Sequence, residues 1–98
     1  MDRRCRSALL DAKKSASQIV DGSVSPYDGA HQIASKLGDC YSFLGQDHEL
    51  VNLLGAFSAY SDEYQEYLMD PLKTQEVDSD VLERAREFVR LAEDMELR

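Results

Sequence analysis

Four side chains of this 98-residue chain belong to the types most often recruited for nucleophilic catalysis or metal binding: Cys5, His31, Cys40 and His48. A pairing of Cys40 with His31 or His48 would be the minimum set for a thiolate nucleophile whose proton passes to an imidazole. Neither histidine lies in a recognisable triad context, and the chain has no G-x-S-x-G, no phosphate-binding loop and no G-x-G-x-x-G. A packed cysteine and surface histidines explain the same residues, so no enzyme is expected. Two Cys and two His also match a tetrahedral zinc site in composition, but their positions lack the close paired spacing that brings two ligands onto one turn. Asp78-Ser79-Asp80 begins like a calcium loop, yet the glycine at the sixth loop position and the remaining oxygen ligands are missing. No metal and no cofactor is therefore expected.

The other chemistry in the chain is electrostatic. Net charge is −8, with six basic and seven acidic side chains in residues 1–49 against five basic and twelve acidic in residues 50–98. Between Asp62 and Asp80, seven acids (Asp62, Glu63, Glu66, Asp70, Glu76, Asp78 and Asp80) face Lys73 alone. Such a surface repels a phosphate backbone, which disfavours nucleic acid, and attracts basic proteins. No apolar run approaches the roughly 18 residues that span a bilayer, so no membrane partner is expected. Met1-Asp2-Arg3-Arg4-Cys5-Arg6 is followed by too short an apolar stretch for a signal peptide, and the expected compartment is the cytosol. There Cys5 and Cys40, which could pair in principle, are expected as free, part-buried thiols.

On a helical wheel Asp62, Glu63, Glu66 and Asp70 fall away from the stripe Phe57, Tyr60, Tyr64 and Tyr67. One reading is a solvated helix face opposite a core face. The other notes that tyrosine gives rigid contact area with a hydroxyl and is enriched where proteins bind proteins. Neighbouring carboxylates would steer a basic partner and pair with its Lys and Arg. On this second reading the partner-binding set is Asp62, Glu63, Tyr64, Glu66, Tyr67, Asp70, Glu76, Asp78 and Asp80.

Helices must position these groups. Hydrophobic residues make up 43%, there is no Trp, and only two Pro and five Gly interrupt the chain. One all-α domain over 1–98 is expected, a compact up-and-down bundle of four to five helices. Cys5, Leu9, Ala12, Ala16, Ile19 and Val20 mark a first helix from about Asp2 to Asp21, closed by Gly22. Ser25 as cap and Pro26 at the first position open a second, lined by Tyr27, Ala30, Ile33, Ala34 and Leu37 and closed by Gly38. The link is short enough to force an antiparallel hairpin. Asp39 to Gly45 reads as a turn or short helix whose Tyr41, Phe43 and Leu44 cover one end of the core. From Asp47 the period returns through Leu50, Leu53, Leu54, Phe57, Tyr60, Tyr64, Tyr67 and Leu68. That helix runs to about Met69 or breaks near Ser61-Asp62; the unbroken phase favours continuity, and Pro71 ends it. Residues 70–79 read as an acidic connection. A last helix begins near Ser79 or Asp80, buries Val81, Leu82, Ala85, Phe88, Val89 and Ala92, and frays from Glu93 to Arg98.

The stretch Ile19-Val20-Asp21-Gly22-Ser23-Val24-Ser25-Pro26-Tyr27-Asp28-Gly29-Ala30 resembles a pattern, I-V-x-G-x-V-x-P-Y-x-G-A, found in small helical bacterial proteins. Proteins of this size, acidity and helical content include immunity proteins of contact-dependent growth inhibition and related toxin systems. The likeness covers residues 19–37; beyond them only the helical pattern and an acidic segment before the last helix are similar. It implies a protein-binding inhibitor that neutralises a basic nuclease toxin, because a nuclease must be basic to hold a phosphate backbone. The alternative is a structural or regulatory helical domain that self-associates through its tyrosine stripe, its acidity serving solubility.

Overall fold

A computed structural model describes residues 3–43 and 48–96. Among them are five α-helices: α1 (Arg3–Asp21), α2 (Pro26–Ala34), α3 (Leu37–Cys40), α4 (Glu49–Glu66) and α5 (Pro71–Glu96), with a 3₁₀ turn at Tyr41–Phe43. α1 packs on α2 and α5, and α4 packs on the same two helices, so the four longer helices close a ring around one core. The fold is the all-α, up-and-down bundle that the periodicity predicts. No helix among the described residues is long and apolar enough to cross a membrane.

α1 buries Cys5, Ala8, Leu9, Ala12, Ala16 and Ile19, the three- and four-residue steps of one helical face. Val20, expected on that face, is instead exposed. The corner after α1 is tightly specified. Gly22 takes φ +85°, a conformation L side chains rarely adopt, and the Val24 amide reaches back to the Gln18 carbonyl at 3.2 Å. The Ser23 amide donates to the Asp21 carboxylate at 2.8 Å, and the Ser23 hydroxyl bonds the same oxygen. These bonds, the hydroxyl's first, hold the Asp21 carboxyl below its ordinary pKa. Ser25 Oγ then accepts the Asp28 amide at 3.1 Å, with Pro26 opening the helix. A Cβ at Gly29 would collide with the Ile19 side chain, so the absence of one sets how closely α2 approaches α1.

α2 stops at Ala34, short of Gly38. Its last turn tightens, with the Lys36 amide bonding the Ile33 carbonyl three residues back at 3.0 Å and Ser35 Oγ donating to the Gln32 carbonyl at 2.6 Å. Gly38 consequently lies within α3 rather than capping α2. Cys5 and Cys40 are not free thiols: they form a disulfide, and both are fully buried. The helical hairpin brings the start of α1 onto α3, a proximity that no local pattern announces. Arg4 and Asp39 pair at 2.7 Å beside this bond, and Lys36 and Asp11 pair at 3.6 Å further along.

α4 is capped by His48, whose Nδ1 accepts the Val51 amide at 3.4 Å. Leu44, Gly45 and Asp47, placed in this entry region from the sequence, lie outside the described residues. The helix runs unbroken through Ser61 and Asp62 and ends at Glu66, earlier than Met69. The largest departure follows. Residues 71–79 are not a connection but the first turns of α5. Pro71 both ends the earlier helix and fits the first position of the next, while Asp70 caps it by accepting the Lys73 amide at 3.2 Å. The Thr74 amide closes the first turn on the Asp70 carbonyl at 3.0 Å. α5 remains helical through Glu93 to Glu96, and its 26 residues bury Val77, Val81, Ala85, Phe88 and Ala92, with Phe88 edge-on to Phe57 at 6.4 Å. Leu82 and Val89 are partly buried.

Candidate functional site

Helix phase sorts the acidic and aromatic residues into different roles. Tyr64 stands seven residues after Phe57, two turns along the same face, and is only 2% exposed. Its ring meets Tyr27 edge-on at 5.2 Å, and its hydroxyl donates to Asp78 Oδ1. Burial, then the bond to Asp78, pushes the Tyr64 phenol far above its ordinary pKa. Tyr64 thus belongs to the core, offers no contact area to a partner, and leaves the expected binding set. Asp78, half-buried on α5, is its acceptor, so this pair ties α4 to α5.

Two more members have structural duties. Asp70 caps α5, and Tyr67 is half-buried with the Lys73 ammonium 5.8 Å from its ring centroid. The other five, Asp62, Glu63, Glu66, Glu76 and Asp80, make no ion pair or side-chain hydrogen bond among the described residues. They are not all on one surface. Asp62 and Glu66, one turn apart, follow the outer ridge of α4. Glu63 lies three residues from Tyr60, and Glu76 and Asp80 lie eight and four before Arg84 on α5. The Arg84 guanidinium is held above its ordinary pKa first by its hydrogen bond to Glu87 and then by Tyr60 of α4. Arg84 is itself paired with Glu87 at 2.7 Å, so it neutralises that acid and not Glu63, Glu76 or Asp80.

Where α4 turns into α5, Leu68, Met69 and Leu72 are 60%, 93% and 74% exposed. The sequence stripe places Leu68 in the core. Because α4 ends at Glu66, the helical phase no longer applies to residue 68, and it turns outward. The turn is itself well made, with the Tyr67 amide on the Glu63 carbonyl and the Asp70 amide on the Tyr67 carbonyl, each at 2.9 Å.

On the opposite side, α2 and α4 share a polar cluster that the sequence does not reveal. The rings of Tyr27 and His31 lie 4.5 Å apart. Gln65 Nε2 donates to the Tyr27 hydroxyl at 3.4 Å and stands 3.4 Å from His31 Nε2, while His31 Nδ1 lies 2.8 Å from the Tyr27 carbonyl. A proton on Nδ1 would let His31 donate to the Tyr27 carbonyl and accept from Gln65 at Nε2. The contacting groups are 34 and 38 positions apart in sequence, so no spacing could have signalled them. The cluster seals the α2–α4 seam and holds no nucleophile. Cys40, the candidate thiolate partner for His31 or His48, has its sulfur in the disulfide. Among the described residues no three His, Cys, Asp or Glu side chains converge as metal ligands would.

No family model, no curated protein and no solved structure matches this chain. Within the Ile19–Ala30 pattern, Gly22 supplies the left-handed turn, Ser25-Pro26 the helix start, and Gly29 the close approach of two helices. The pattern is therefore accounted for as a hairpin corner.

Proposed function

We propose that this protein is a non-enzymatic inhibitor that binds a basic protein, in the manner of an immunity protein neutralising a basic nuclease toxin. The observation that carries this reading is that five carboxylates on α4 and α5, Asp62, Glu63, Glu66, Glu76 and Asp80, have no ion-pair partner among the described residues. Carboxylates held on packed helices and unpaired among the described residues present a field that a nuclease's phosphate-binding cleft would meet as it meets its polyanion. Self-association through a tyrosine stripe has less support, because Tyr64 is buried and Tyr60 and Tyr67 are half-buried.

The reading keeps the cytosol as the place where the toxin is met. There the Cys5–Cys40 bond would have to form against a reducing pool. Alkylation of thiols in intact cells measures whether it does. The functional test is coexpression with a basic nuclease toxin domain, taken from a neighbouring gene where one exists. Growth should be rescued and a complex recovered, its affinity falling steeply between low and physiological salt. Absence of a complex at low salt would overturn the proposal.

A further inference from the structure

We propose that Leu68, Met69 and Leu72 form an apolar knob that enters an apolar pocket rimmed by Lys and Arg on a basic protein partner. This rests on reading the α4–α5 carboxylates as a docking face, and it names the anchor of that face.

Among the described residues four large hydrophobic side chains are more than half exposed, Tyr41, Leu68, Met69 and Leu72, and three of them stand within five positions at this one turn. Isolated exposed apolar residues need no explanation; a cluster does. Folding does not require this one. The turn is closed by backbone hydrogen bonds and the Asp70 cap, so polar side chains at 68, 69 and 72 would leave every one of those bonds intact. The same bonds fix the knob on the ends of two packed helices. Little ordering entropy would then be lost on docking, the condition under which a small apolar anchor contributes most.

Charge decides the occupant. Glu63, Glu66, Asp70 and Glu76 flank the three residues in sequence, with Lys73 as the one cation among them and that ammonium over the Tyr67 ring. An anionic bilayer would be repelled by this collar. A second copy docking knob to knob would oppose acid to acid. A pocket rimmed by Lys and Arg meets both the apolar centre and the acidic surround.

The test titrates the isotopically labelled protein with an amphipathic leucine–lysine peptide and with a serine–lysine peptide of equal charge. The leucine peptide should bind at low salt, with amide shifts centred on residues 67–73. The triple variant Leu68→Ser, Met69→Ser, Leu72→Ser should weaken it about tenfold or more. The serine peptide should bind both forms alike. Because shift mapping uses the wild-type protein, it stands whether or not the variant folds. If wild type and variant bind the leucine peptide equally, the knob is wrong and the acidic face survives. If neither peptide binds at low salt, the acidic face fails as well. Cosedimentation with phosphatidylglycerol vesicles, or a dimer that the triple variant abolishes, would overturn the choice of occupant.

Discussion

Ser25-Pro26 opens α2 and Asp70-Pro71 opens α5 with the same chemistry, a side-chain oxygen on a first-turn amide and a proline at the first helical position. The two hairpins they belong to finish that turn differently. The first, α1–α2, seals its corner: Gly22 takes the left-handed turn, Gly29 admits Ile19, and a buried disulfide closes the far end. The second, α4–α5, has no crosslink, leaves Leu68, Met69 and Leu72 exposed at its corner, and carries most of the acidic residues. One backbone solution thus serves a corner that only holds the fold and a corner whose surface exceeds what the fold uses.

The largest difference between the hairpins should come from the crosslink. Cys5→Ala with Cys40→Ala, or reduction, should lower stability by about 2–4 kcal/mol, since the bond closes a long loop. Equilibrium denaturation would measure it, and an unchanged midpoint would remove the disulfide from the account. Next, Gly29→Ala should cost about 1–3 kcal/mol as Ile19 is forced aside. At the matching position of the second corner, the Thr74 side chain donates to the Pro71 carbonyl of its own turn, so Thr74→Ala should cost under about 0.5 kcal/mol. Equal losses at the two sites would dissolve the contrast. The caps should behave alike: Ser25→Ala and Asp70→Ala should each cost about 0.5–2 kcal/mol in thermal melts.

The hairpins should also fail at opposite ends of the pH scale. Asp21 has its pKa lowered in the folded state, so its contribution is present above the ordinary value of 3.8 and is lost as pH falls below it. Tyr64 has its pKa raised, so its contribution is complete below the ordinary value of 10.0 and is lost as pH rises past it. Tyr64→Phe should flatten the alkaline limb and leave the acid limb in place. An alkaline limb unchanged by that substitution would deny Tyr64 its role.

The first hairpin was largely legible in the sequence because its signals are local. Gly22, Ser25 and Pro26 lie in consecutive turns, and the α1 face follows one period. The second departs from its sequence pattern at one dipeptide. Pro71 reads as a stop for α4, while Asp70-Pro71 is also a start signal identical in kind to Ser25-Pro26, and that second role makes residues 71–79 the first turns of α5. Leu68 keeps the helical phase of the core stripe in sequence, but no residue marks that α4 ends at Glu66, and the stripe alone does not tell a buried Tyr64 from an exposed one. The disulfide and the Tyr27–His31–Gln65 cluster depend on contacts between distant segments, which periodicity cannot supply. The acidic residues were legible as charge; which of them stay unpaired follows only from the packing of α4 on α5.

The central claim is that charge on the second hairpin, not net charge, recruits the partner. Two doubly reversed variants with equal change in net charge test it: Glu63→Lys with Glu66→Lys on α4, and Asp11→Lys with Asp28→Lys on the first hairpin. Affinity for a basic nuclease domain that the wild-type protein binds would be measured for each at low and at physiological salt. The α4 pair should weaken binding and flatten its salt dependence, while the first-hairpin pair leaves both close to wild type. Equal loss in the two variants, or none in either, would contradict the account.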